Sequence, residues 1–167
     1  MKYHKNTLES KLDKEINQLL KQNVDKNIVG DIDHNITYNE FLSNKMMMIG
    51  VIKNGIPFSL FDLISVYTPF NENDWANILD ISTKSLQRYK STVGHLFKSI
   101  HSEKIIEMAE VTKFGLEVFG DMDKFKQWLN TPSYAFSNLK PLDLLNDSYG
   151  KDLVITELVH INHGILV

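Results

Sequence analysis

Local patterning predicts an all-α chain. Apolar residues recur at spacings of three and four, capping residues stand where several of those runs begin, and no useful length alternates with period two. Leu8, Leu12, Ile16, Leu19 and Leu20, interleaved with Lys, Asp, Glu and Gln, describe an amphipathic helix over residues 7–22. Residues 23–40 are rich in Asn and Asp, contain Gly30, and read as a loop or a poorly ordered connection. The first helix is therefore expected as an appendage, either an extra packing layer or a dimerisation element. Residues 41–53 are compatible with a buried helix or a strand, and Asn54-Gly55 can turn a hairpin. Pro57 would then remove a ladder donor from the second strand. A helix ended by Asn-Gly, followed by another from Phe58 to Tyr67, fits better. Met46, Met47 and Met48 are expected to fill the core.

Signals sharpen from Asn71 onward. Asn71 with Asp74 three residues later forms a cap signature ahead of Trp75, Ile78 and Leu79. Ile81-Ser82 breaks that helix, and Ser82 caps the next, which turns Leu86 and Tyr89 inward. Ser102-Glu103 is expected to open a longer helix with Ile105, Met108, Ala109, Thr112, Leu116 and Phe119 on one face, ended by Gly120. Asp121 caps a helix through Phe125, Trp128 and Leu129 that stops at Asn130-Thr131-Pro132. Pro141 fits the first turn of a short helix. After Gly150 a last helix runs to about Ile161, and Gly164 closes it before Ile165-Leu166-Val167.

Composition narrows the function. The 167 residues contain no cysteine, which excludes a disulfide framework, a zinc ribbon and a thiol nucleophile. The strongest apolar run, Met46 to Ile52, is far short of the ~20 residues a membrane span needs. The start does not lead into a signal-peptide core, so the chain reads as soluble and cytoplasmic. A net charge of -3 argues against a uniformly basic nucleic-acid binder. The exception is local: between Asp80 and Glu103 no acid occurs, while Lys84, Arg88, Lys90 and Lys98 do. That stretch is either a solvated face without acids or a surface for an anionic partner.

Residues 71–91 sharpen the second option. Two short helices across the Asp80-Ile81-Ser82 break describe a helix-turn-helix, whose second helix presents Lys84, Ser85, Gln87, Arg88 and Lys90. In such a motif Arg pairs with guanine and Gln with adenine, while Lys and Ser hold phosphates. Catalytic signals are weak. His160 and His163 share a spacing that metal ligands use, yet no third ligand stands nearby, so no metal or cofactor is expected. Asp121 and Asp123 sit where helix N-terminal acids belong. No Gly-rich phosphate loop and no nucleophile–base set is present, and no enzyme is read here. The apolar ending either folds back on its own core or inserts into a partner.

The order of motifs in the C-terminal part resembles a known family. Val118-Phe119-Gly120-Asp121, Trp128-Leu129-Asn130-Thr131-Pro132, Pro141-Leu142-Asp143-Leu144-Leu145, Gly150 and Ile161-Asn162-His163-Gly164 are similar to the toxin-binding domain of Xre/MbcA/ParS-type antitoxins, also known as DUF2384. Upstream, Gly55-Ile56-Pro57, Leu79-Asp80-Ile81-Ser82 and Leu86-Gln87-Arg88 resemble the family's Xre-type helix-turn-helix, so the likeness covers residues 50–167. Two departures stand out: Arg88-Tyr89 where the family often has paired arginines, and Phe136-Ser137-Asn138 where Leu-Gly-Gly is commoner.

Residues 1–45, which match no family pattern, are read as an N-terminal helical appendage and linker, and the resemblance implies a helix-turn-helix domain (46–101) and a toxin-binding domain (102–167). It implies an antitoxin of a type II toxin–antitoxin system, not itself an enzyme. Its partner would be a RES-domain toxin that degrades NAD, whose active site the C-terminal region covers. It also implies autorepression of the operon, usually as a homodimer on operator DNA, with no membrane role. Carried over by position, DNA contacts fall on Thr83, Lys84, Ser85, Gln87, Arg88 and Lys90. Toxin contacts fall on His160, His163, Gly164, Ile165, Leu166 and Val167, which turns the tail toward a partner. The alternative is a stand-alone helix-turn-helix regulator whose C-terminal domain only dimerises.

Overall fold

Helix boundaries follow the capping chemistry. The computed structural model describes residues 2–22 and 24–164. Helix α1 (Lys2–Gln22) leads to a single turn, α2 (Lys26–Val29), and to α3 (Tyr38–Ser43). Thr37 and Glu40 close a capping box at the start of α3. Then come α4 (Lys45–Asn54), α5 (Phe58–Tyr67), α6 (Glu72–Ile78) and α7 (Thr83–Ser91). The last third holds α8 (Ser99–Phe119), α9 (Met122–Leu129), α10 (Pro141–Leu144) and α11 (Ser148–Asn162). Among the described residues the chain is all-α; β pairing is confined to the isolated bridges Pro57–Leu96 and Ser133–Leu139.

Helix α8 is the axis. Ile105, Ile106, Met108, Ala109, Val111, Thr112 and Gly115 are buried, which covers nearly every side of the helix. Helices α3, α4, α5, α9 and α11 pack around it. One continuous apolar core runs from Leu12, Ile16, Leu19 and Leu20 of α1 to Val154 and Leu158 of α11. Helix α1 lies along α5, joined by Ser59 donating to Glu15 (2.9 Å) and Tyr67 donating to Glu9 (3.2 Å). The Asn/Asp-rich connection is pinned to α1 rather than loose. Asn17 donates to the Ile36 carbonyl (2.7 Å) and accepts the Ile36 N–H (2.8 Å), while Asp13 accepts the Tyr38 N–H (2.6 Å).

Three local expectations shift. Helix α8 starts at Ser99 instead of Ser102. Ser102 is fully buried, its hydroxyl accepting the Ile56 N–H (2.9 Å) and donating to the Phe97 carbonyl (3.3 Å). Helix α11 starts before Gly150, because Asp147 caps it through the Gly150 N–H (2.8 Å). Of the three methionines only Met48 is buried, and Met46 is exposed. Consecutive helical side chains diverge by about 100°, so three in a row cannot share the core face.

Candidate functional site

Two surfaces gather the chemistry predicted from sequence. The first is built by α6 and α7. Asn71 accepts the Asp74 N–H (2.9 Å) and Asp74 accepts the Asn71 N–H (2.8 Å), which fixes the start of α6. The chain then turns through Asp80 at φ +52°, the left-handed region that Asp tolerates better than most residues. The Ile81 N–H reaches back to the Ala76 carbonyl (3.0 Å), and Ser82 caps α7 through the Ser85 N–H (3.1 Å).

Leu86 is buried beneath α7, and Tyr89 stacks on His95 with centroids 3.9 Å apart and an 11° tilt. Burial holds the His95 imidazole below its ordinary pKa, with nearby His101 and Arg88 adding to the effect. Burial lowers His101 as well, helped by Lys98. Lys84, Arg88 and Lys90 are exposed, whereas Thr83 and Ser85 are half-buried. Gln87 is exposed but engaged, donating to the Glu72 carboxylate across the helix pair (2.9 Å). The face thus presents Lys84 and Arg88 one turn apart, with Gln87 tethered beside them.

The second surface is the outer side of α11. Gly150, Val154 and Leu158 face the core, and Lys151 anchors the helix to α8 through Glu107 (3.8 Å), which Lys104 also approaches (3.2 Å). At 100° per residue, Tyr149, Leu153, Thr156, His160 and His163 fall within one narrow wedge on the opposite side. Tyr149 (88% exposed) and Leu153 (55%) are large apolar groups left in solvent. His160 is half-buried with Nδ1 3.4 Å from Glu157. His163 ends the helix, and Gly164 follows at φ +68°. Ile165, Leu166 and Val167 lie outside the described residues. The sequence reading singled out the two histidines on this face and did not single out Tyr149 and Leu153. Their spacing of four, in phase with His160, was the available signal.

Packing around α11 depends on two close approaches. Gly150 faces the Leu144 carbonyl at the α10–α11 junction so closely that a Cβ there would collide with backbone. Gly115 of α8 lies against the Phe125 ring of α9, and Phe125 is fully buried between Phe119 and Trp128. The turn before α10 runs through Ser137 (φ +54°) and Asn138 (φ +65°), two successive left-handed residues. Among the described residues no cluster of three or more His, Asp or Glu is arranged to hold a metal, and no helix is long and apolar enough to cross a membrane.

Comparison with known proteins bears on the second surface. Residues 115–164, from Gly115 of α8 to Gly164 just past α11, match the Antitoxin Xre/MbcA/ParS C-terminal toxin-binding domain. A protein of Photorhabdus laumondii subsp. laumondii named Antitoxin Xre is 27% identical over 117 residues, covering 70% of this chain and 78% of its own length. An Antitoxin Xre of Pseudomonas putida is 33% identical over 63 residues, covering 38% of this chain and 40% of its own length. A chain from the crystal structure of the M. tuberculosis MbcT-MbcA toxin-antitoxin complex matches with a TM-score of 0.49 and 21% identity. That match covers 65% of this chain and 97% of the other.

Proposed function

We propose, from the premise that this chain belongs through residues 115–164 to the Xre/MbcA/ParS antitoxin family, that it is a cytoplasmic antitoxin which binds and silences a cognate toxin. The observation that carries this is the outer face of α11, inside the matched segment. There Tyr149 and Leu153 remain in solvent in line with His160 and His163. Large exposed apolar groups on an otherwise well-packed helix serve association, and an aromatic with a neighbouring aliphatic is the usual content of an interface anchor. The toxin we infer is of the RES type, an enzyme that consumes NAD, and α11 with the tail from Gly164 to Val167 covers its active-site mouth. The antitoxin itself contributes no catalysis.

We further propose that α6 and α7 act as a helix-turn-helix through which a homodimer represses its own operon. Lys84, Arg88 and Lys90 meet operator DNA, and half-buried Thr83 and Ser85 at the start of α7 lie closest to the phosphates. Gln87 reads a base only after leaving Glu72.

Co-expression with the neighbouring open reading frame, with cellular NAD as the readout, tests the reading. The wild-type chain should preserve NAD, and Tyr149→Asp with Leu153→Asp should fail to do so while unfolding at the wild-type denaturant midpoint. Removal of Ile165 to Val167 should weaken protection as well. Full protection by the doubly substituted, folded chain would sink the α11 assignment. For DNA, Lys84→Ala should lower the salt slope of operator binding by about one.

A further inference from the structure

Helices α4 and α8 share an outward face that uses no residue of the toxin-facing surface or of the basic face of α7. The two helices run antiparallel. Just past α4 the Ile56 N–H donates to Ser102 near the start of α8 (2.9 Å), while Lys45, which opens α4, lines one depression with Glu110. Ile49, Ile52 and Glu103 line the same depression. At about 100° per residue, Lys45, Ile49, Ile52 and Lys53 fall in one outward sector of α4. Ile100, Glu103, Glu107 and Glu110 fall likewise in one sector of α8. Ile49 and Ile100 are large apolar groups left exposed there, Ile100 by 67%.

Charge on this face is sorted by helix. Helix α4 carries Lys45 and Lys53 and no acid, whereas the outward sector of α8 carries three glutamates. Glu107 is answered within the chain by Lys104 and Lys151. The others are not: among the described residues the side chains of Lys45, Lys53, Glu103 and Glu110 make no hydrogen bond and no ion pair. Glu110 is half-buried, and burial raises its carboxyl above the ordinary value, as expected where no cation sits against it.

We propose that this face is the contact between two copies of the chain, paired about a two-fold axis that lies along the α4–α8 seam. Such an axis sets α4 of each copy over α8 of the other, at the level the two helices already share within one chain. Ile49, Ile52 and Ile100 then close an apolar centre. Lys53 faces Glu103 of the second copy, and Lys45 faces its Glu110. The spacing fits: eight residues separate the lysines and seven the glutamates, about 12 and 11 Å at the helical rise. Because a two-fold makes each contact twice, all four charges left unpaired in one chain find a partner in the other. A partner of one charge sign would answer only half of them. The inference gives the homodimer of the antitoxin reading its surface, rests on that reading for its role alone, and needs neither toxin nor DNA.

Sedimentation equilibrium of the full chain tests it, with urea midpoints establishing that each variant is folded. The wild type should be a dimer. Lys53→Glu and Glu103→Lys should each weaken it about tenfold or more, since two attractions become two repulsions. Mixing the two reversed chains should restore the dimer, because each then meets the opposite charge on the other. Attraction within a single chain cannot produce that rescue. Lys45→Glu and Glu110→Lys repeat the test at the other end of the seam. The proposal is overturned by a wild type still monomeric at about 100 µM, beyond the micromolar range of a standard interface. It is equally overturned by reversed chains that dimerise like the wild type, or by a mixture no more dimeric than its components. A monomeric wild type removes the homodimer of the antitoxin reading as well; a dimer indifferent to the reversals keeps that homodimer and removes this face.

Discussion

Replacing Gly115 by alanine sets two effects of opposite sign against each other. In an exposed helix interior the change stabilises by about 1 kcal/mol, because glycine gives up more backbone freedom on folding. Gly115 is buried in the last third of α8, where a Cβ would overlap three atoms of the Phe125 ring. Phe125 has nowhere to retreat. It is fully buried, with Phe119 at 6.0 Å and Trp128 at 6.1 Å in near-parallel stacks. Overpacking of this kind costs about 1–3 kcal/mol, and displacing the ring outward would surrender about 2 kcal/mol of burial. The propensity gain offsets only part of that, so a net loss of about 1–2 kcal/mol is expected. Urea denaturation followed by far-ultraviolet circular dichroism measures it directly. Phe125→Leu provides the control: it should cost stability alone, yet cost less in the Gly115→Ala background, giving a coupling of about 1 kcal/mol. Gly115→Ala as stable as wild type, or two substitutions that simply add, would refute the packing of α9 on α8 described above.

Gly150→Ala should be costlier than Gly115→Ala, about 3 kcal/mol or above, because the obstacle is the Leu144 backbone carbonyl instead of a side chain; the same denaturation curves rank the two. Ser137→Gly should raise stability by about 0.5 kcal/mol: relief of the left-handed strain at φ +54° exceeds the entropy glycine adds to the unfolded chain. Acid should weaken the fold through His95 and His101. Their folded pKa values lie below the 6.5 of the free side chain, so the unfolded chain binds more protons as pH falls through that value. Thermal midpoints should accordingly decline between about pH 7.5 and 5.5. Burial raises the Glu110 carboxyl, which acts in the opposite direction as pH falls. The comparison is therefore made in a Glu110→Gln background, where His95→Gln with His101→Gln should flatten the decline.

What could be read from the sequence was what depends on neighbours three or four residues away. Asn71 with Asp74, Ser82, Asp121, Pro141 and the glycines at 55 and 120 fixed helix ends as expected, since caps close hydrogen bonds within one turn. Apolar spacing likewise placed Leu12, Ile16, Leu86, Ile105 and Met108 inside. The motif order in the last third was enough to suggest the antitoxin family.

The tertiary structure decided everything that rests on pairs distant in the chain. Ser102 looked like a cap, yet it serves the Ile56 N–H 46 residues away. Gln87 looked free to read a base, yet it is bound to Glu72 fifteen residues back. Gly115 carries no local turn signal and Gly150 reads as a helix boundary; what both require is the absence of a Cβ where Phe125 and Leu144 arrive. Tyr149 and Leu153 become informative only because Val154 and Leu158 show which side of α11 is already covered. Local hydrogen bonding and helical period are written along the chain, whereas close approach and exposure are properties of the packed whole.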